Sequence, residues 1–328
     1  IILVLFSLIT IVLIRRQASA DAEFLQRIFL IGLLLRVGFG TLIHVYDLRG
    51  FFGNDATLYD VLGYRLYQIW FEGFTVYADD PFSQRALDLG ASGWGMNYLV
   101  AAIYAIIGRN ILAAQFFCAF IGAATAPLVY SCAHKIFNNR RVGRASALMV
   151  AVFPAFVIWS SQLLKDGLII FLLVLAITMV LQLQEKYSYV SIGLLIFSLF
   201  SILSLRFYIF YMVAIAVVGS FIIGTSSSKQ SIVKRLAAIL IIGGSLAYFG
   251  GLQSAGENFD EYANLERIQK SRQDLTQSES GFGEDLDVST TEGAMVALPT
   301  GFTYLMFAPF PWEVGNFRQA IALPEVLV

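Results

Sequence analysis

The sequence predicts an all-α fold: a polytopic transmembrane helical bundle. Three observations carry that. Of 328 residues, 58% are hydrophobic and only 14% charged, against about 25% charged in an average soluble domain. Mean hydropathy is +0.72. The apolar residues also cluster in runs, several of them about as long as the ~17–25 residues a membrane helix needs.

Taken in order, the apolar segments are 1–14, 28–46, 96–108, 111–131, 146–160, 167–183, 190–205, 207–224, 236–252 and 295–310. They predict about 9–11 membrane segments. Segment 96–108 is short for a span and is expected to lie along the membrane or to cross it partly. The predicted organisation is a transmembrane module over 1–252, an acidic outer loop over 253–294, and the start of further membrane segments over 295–328. The chain begins at Ile1 inside one apolar run and ends at Val328 as another begins, so further residues are expected at both ends.

The loops differ in charge. Residues 132–144 carry Lys135, Arg140, Arg141 and Arg144 with no acid, and 225–235 carry Lys229, Lys234 and Arg235 with no acid. Loop 15–27 holds Arg15, Arg16 and Arg27 around Asp21 and Glu23. By contrast, 47–95 has seven acids against three arginines, and 253–294 ten acids against three bases. An excess of Lys and Arg in short loops marks the cytoplasmic side. The two long acidic loops are therefore expected outside, together with Ser161–Asp166 and Arg206.

Within the first outer loop, Leu58, Val61, Leu62, Leu66, Ile69 and Trp70 follow one helix face. They predict an amphipathic helix on the outer membrane surface, starting near Asp55. Asp55 suits a general base that takes a proton from an acceptor hydroxyl; the alternative is a helix-start aspartate favoured by the dipole. Asp60, five residues on, is expected on a solvated face. Tyr59 is a further candidate in this loop.

Asp166 follows Lys165 between two apolar spans, where ionisable groups are costly and often functional; the alternative is a polar cap on a helical hairpin. Arg206 suits phosphate binding through its planar fork, or else snorkels from a helix end. Lys165 is a second phosphate candidate. Arg36 lies deeper, within 28–46, and is expected to pair internally.

Other chemistry is weakly signalled. His44 and His134, the only histidines, fall on opposite sides, so a two-histidine zinc site is not expected. No certain cofactor is indicated, and a carboxylate-bound Mg²⁺ or Mn²⁺ stays open. No Gly-rich phosphate loop, dinucleotide fingerprint or nucleophile elbow is present, and nothing points to nucleic acid. Cys118 and Cys132 are 14 residues apart in one run, about 21 Å along a helix, and predict no disulfide. Two prolines in Ala308-Pro309-Phe310-Pro311 predict a helix break.

The order of features resembles the N-terminal module of GT-C glycosyltransferases, in particular the protein O-mannosyltransferase and lipid A aminoarabinose transferase group (glycosyltransferase family 39-like). The resemblance rests on Asp55 with Tyr59 at i+4, then Gly108-Arg109-Asn110, Ala113-Ala114-Gln115 to Gly122, Lys135-Ile136-Phe137 with Arg140-Arg141, Phe153-Pro154, Ser160 and Asp166. It covers about residues 28–183. It implies a polyprenyl-phosphate sugar donor, a glycan, lipid or protein acceptor, surrounding membrane lipids, and an active site facing outward or into the periplasm from a prokaryotic plasma (inner) membrane. The family's first-loop acid maps to Asp55 and its later membrane-edge aspartate to Asp166. The chain departs from the pattern at Ala56, where many relatives have a second acid. It departs again at Gly93-Trp94-Gly95-Met96-Asn97-Tyr98, where many have paired prolines. The competing expectations are an O-antigen-type polysaccharide polymerase or ligase, and a transporter or flippase without chemistry.

Overall fold

A computed structural model describes residues 2–17, 21–52, 55–73, 80–91, 93–223, 243–244, 264–276, 287–308, 310–315, 320 and 323. The chain divides into two units, Ile1–Gly251 and Leu252–Val328. Among the described residues every regular element is a helix.

The first unit holds α1 (Ile2–Gln17), α2 (Ala22–Val45), α3 (Arg49–Phe52), α4 (Asp55–Glu72), α5 (Pro81–Leu87), α6 (Trp94–Ile107), α7 (Ile111–Phe137), α8 (Arg140–Val152), α9 (Pro154–Ser160), α10 (Asp166–Glu185), α11 (Tyr189–Leu205) and α12 (Phe207–Ile223). The second holds α13 (Leu265–Thr276) and α14 (Thr291–Phe307).

Among the described residues three helices are long and apolar enough to cross a membrane: α2, α7 and α10. The pair α8 and α9 makes a fourth if taken as one span, bent by 55°. Helices α6, α11 and α12 are apolar but shorter; 17 residues reach about 25 Å, less than a hydrocarbon core of about 30 Å. The predicted run 236–252 lies outside the described residues except for 243–244, and loop 253–294 is described only in part.

Local sequence explains most helix ends. Asn110 begins α7 by accepting from the Ala113 N–H at 3.1 Å, and Asn139 begins α8 by accepting from Arg141 at 2.9 Å. Asn138 ends α7 in the left-handed region, φ 47°, where asparagine is tolerated. Pro81 opens α5 behind Asp80, whose carboxylate accepts from the Ser83 N–H. In the second unit Thr290 caps α14 through the Gly293 N–H, and α14 ends at Phe307, just before the Ala308-Pro309 break predicted from sequence.

The main core joins α4, α6, α7, α10, α11 and α12 through Tyr59, Val100, Cys118, Leu172, Leu199 and Phe210. A second cluster packs α1 and α2 against α7 and α8, through Leu25, Phe29, Ala123 and Ala147. Asp21 fastens this corner: it is buried, accepts from the Tyr130 hydroxyl, and accepts from Arg144 Nε at 2.9 Å. The Tyr130 hydrogen bond first, and then Arg144, outweigh burial and hold its pKa below the usual 3.8. Cys118 and Cys132 are free and buried within α7, as their spacing predicts.

The face of α4 differs from expectation. Its buried residues are Ala56, Tyr59, Asp60, Leu62, Gly63 and Leu66, while Trp70 is exposed. The cause is Gly63. A Cβ there would lie 2.6 Å from Val100 Cβ, so its absence lets α4 close onto α6. Backbone approach, rather than the stripe of large apolar residues, selects the inward face.

Candidate active site

Three of the sequence-predicted residues meet around one cavity of about 890 Å³. Asp55 is the first residue of α4 and is exposed. Asp166 is the first residue of α10. Each carboxylate sits at the positive end of its helix dipole. Arg206 follows the last residue of α11 in extended conformation, φ −153° and ψ 99°. Its Nη2 lies 2.9 Å from Asp166 Oδ1, with about a third of each side chain exposed. The rest of the lining is mostly apolar: Met149, Val150, Phe153, Phe156 and Trp159 from the bent α8–α9 pair, with Gly167 and Ile170 from α10. The cavity therefore has a charged end and a long hydrocarbon wall.

Lys165 and Tyr59 stand beside the charged end. Lys165 Nζ lies 5.8 Å from the centre of the Tyr59 ring. Burial, and then the Arg206 guanidinium, lower the Lys165 pKa from 10.5, while Asp166 and Asp55 pull it back up. Burial first, then Asp55 and Asp166, push the Tyr59 hydroxyl up to about 12, opposed by Arg206. Asp55, Tyr59, Lys165, Asp166 and Arg206 thus form one electrostatic cluster.

Gly93 and Gly95 were visible in the sequence only as a departure from the family pattern. Both have a steric role at this cluster. Gly93 has φ +88°, and a Cβ on it would come within 3.0 Å of Lys165 Nζ and 3.1 Å of the Tyr59 hydroxyl. A Cβ on Gly95 would lie 2.7 Å from Ser204 Cβ, two residues before Arg206. Gly93 lets the start of α6 close on Lys165 and Tyr59, and Gly95 lets it close on the last turn of α11, next to Arg206. The signal was the Gly-x-Gly spacing itself, at the turn where Gly93 begins α6 in the left-handed region.

Asp60 is not on a solvated face. It is 8% exposed, accepts from the Tyr104 hydroxyl at 2.6 Å, and pairs with Arg109 Nη2 at 2.7 Å. Arg109 also lies over the Tyr64 ring, at 4.4 Å. The Asp60 hydrogen bond raises the Arg109 pKa above its usual value. Asp60 is not part of the cavity lining; a carboxylate turned toward α6 found two donors and stayed buried. Arg36 is fully buried and also outside the lining. As expected it pairs internally, with backbone and hydroxyl oxygens.

Among the described residues no group of three or more His, Cys, Asp and Glu side chains comes together to hold a metal. Asp166 is already paired with Arg206.

Residues 93–250 match the sequence profile of the dolichyl-phosphate-mannose-protein mannosyltransferase family. The segment is a GT-C-type membrane glycosyltransferase domain, and the chain is an integral membrane glycosyltransferase. The match begins after the region where the sequence resemblance starts and runs beyond its end. It includes Lys165, Asp166 and Arg206, whereas Asp55 precedes it. No curated protein and no solved structure gives a significant match.

Proposed function

We propose that this membrane glycosyltransferase takes its sugar from a polyprenyl-phosphate carrier and passes it to an acceptor hydroxyl on the outer face of the membrane. One observation carries the reading: two carboxylates and a guanidinium share a cavity whose remaining wall is apolar helix. A lipid-phosphate sugar has that same division, with a charged phosphate and a long hydrocarbon tail.

In this mechanism Asp55 accepts the proton of the acceptor hydroxyl. The hydroxyl oxygen forms a bond to the anomeric carbon of the sugar. The bond from that carbon to the phosphate oxygen breaks, and polyprenyl phosphate leaves with the electron pair. Arg206, with Lys165 behind it, holds the phosphate and stabilises the charge that develops there. Asp166 keeps Arg206 aimed and lies close enough to orient sugar or acceptor. Tyr59, whose hydroxyl keeps its proton across the physiological range, packs beside Lys165. Met149, Phe153, Phe156 and Trp159 receive the isoprenoid.

The outward orientation is supported by the basic loops 15–27 and 132–144 against the acidic loop 47–95. In this reading, which follows the family resemblance, the site faces the periplasmic side of a prokaryotic inner membrane, within reach of a glycan, lipid or protein acceptor.

The test is release of polyprenyl phosphate from a panel of polyprenyl-phosphate sugars. Asp55→Asn is expected to lower it by about 10²–10⁴-fold while insertion and folding are retained. Normal transfer by that variant rules out the base assignment. Cysteine labelling that puts Asp55 and Asp166 on opposite faces ends the proposal.

A further inference from the structure

Arg36 lies well inside α2 and is 0% exposed. Its guanidinium stays charged, and a buried charge needs partners. Among the described residues those partners are oxygens and a ring, with no carboxylate. Nη1 donates to the Ala151 carbonyl at 2.9 Å and to that of Gly32 at 3.0 Å. Nη2 donates to the Val150 carbonyl at 3.3 Å, and Nε to the Ser160 hydroxyl at 2.8 Å. The Phe156 ring centre lies 4.8 Å from Cζ.

Two of those carbonyls belong to the last turn of α8. In an unbroken helix the Val150 carbonyl would accept from the N–H of residue 154, but Pro154 has none. The end of α8 also carries the negative pole of its dipole. Arg36 fills both needs: it donates where the backbone cannot, and it is the cation that this pole favours.

The same side chain reaches the far end of the bent span. Ser160 closes α9, and a Cβ on Gly122 or Gly167 would lie 2.6 or 2.7 Å from Ser160 Cβ. So α7 and the first turn of α10 close on Ser160, and Gly167 directly follows Asp166. Room for the guanidinium is built in as well. A Cβ on Gly32 would come within 3.2 Å of Nη1, and one on Gly122 within 2.9 Å of Nε.

We propose that Arg36 is a positioning residue for transfer: it clamps α8 to α9 across the Pro154 break and, through Ser160, sets that wall of the cavity against Asp166. It acts from behind the wall and touches no substrate. The proposal rests on reading the cavity as the donor site.

The experiment uses the full chain in nanodiscs, with spin labels at positions 149 and 170, which line the cavity from α8 and α10. Arg36→Gln is expected to shift or broaden the distance between them. It is also expected to raise KM for a long-chain polyprenyl donor by about tenfold, and to raise it much less for a short-chain donor that does not fill the apolar wall. Arg36→Lys keeps the charge but not the fork, and falls between. If Arg36→Gln does not fold, Ser160→Ala and Pro154→Ala carry the test: the first removes one tie and the second returns an N–H to Val150. Both are expected to move the distance and the long-chain KM. An unchanged distance distribution overturns the proposal, as does an equal loss with both donors that follows a lowered melting midpoint. If the unmodified protein releases no polyprenyl phosphate from any donor, the donor reading fails, and the spin-label distance alone decides the clamp.

Discussion

The guanidinium of Arg206 lies 2.9 Å from a carboxylate oxygen of Asp166, so the cation proposed to meet a phosphate is held ready by an acid. With about a third of each side chain exposed, such a pair contributes about 0.2–1 kcal/mol to stability. Its removal is therefore expected to cost activity rather than fold. Arg206→Ala should lower turnover by about 10²–10³-fold and shift the melting midpoint only slightly. Asp166→Asn leaves the guanidinium unshared, and should lower kcat without raising the donor KM. Steady-state release of polyprenyl phosphate measures both. A collapse of the melting midpoint in either variant would mean that the pair is structural.

Lys165 is expected to set an alkaline limit. Burial, and then Arg206, lower its pKa from 10.5, so it sheds its proton earlier than an ordinary lysine as pH rises. Donor binding that uses its charge should fade on a limb below pH 10.5, and Lys165→Arg should move that limb upward. The stability effect has the opposite sign. The folded state binds this proton less well than the unfolded state. The cost of the charged side chain is thus greatest below the folded pKa, and it disappears as pH rises toward 10.5. A profile of kcat/KM against pH, with a melting curve at each point, separates the two. A limb that does not move in Lys165→Arg would remove Lys165 from donor binding.

Asp60 is expected to be a stability residue. Asp60→Ala strands the buried Tyr104 hydroxyl and should cost about 1–3 kcal/mol. Tyr104→Phe removes one donor and leaves Arg109 in place, and should cost about 1 kcal/mol. Denaturation in detergent micelles checks both. Equal stability of Asp60→Ala and the unmodified chain would mean that the buried pair holds nothing.

Gly63→Ala should destabilise by about 1–3 kcal/mol, the usual range for overpacking, because the new methyl meets Val100 Cβ at 2.6 Å. An alanine at Gly38, which has nothing within 4 Å, is the matched control. Equal melting midpoints for the two variants would show that α4 and α6 can part without cost.

Much of this was legible in the sequence. Hydropathy alone marks α2, α7 and α10, because a span announces itself by length and composition. Loop charge led to the expectation that Asp55, Asp166 and Arg206 share one face, and in the structure they line one cavity. What could not be read depends on partners distant in the chain. The inward face of α4 follows from a glycine meeting Val100, which periodicity within α4 does not encode. The apolar run 146–160 looks like one span, yet it bends by 55° where Pro154 withholds a donor. Arg36 could be recognised as needing partners, but two of them are carbonyls more than a hundred residues away, and carbonyls carry no sequence signature.

Asp60 sits five residues after Asp55 on the same helix, about 140° around it. Its clasp on Arg109 and Tyr104 keeps α4 from rolling, so one carboxylate sets the azimuth of the other. A survey that replaced acidic residues singly and scored only the product made by whole cells would rank Asp60 beside Asp55. It would report a catalytic pair where the proposed mechanism has one base and its rudder. Separating them takes product counted per correctly folded molecule.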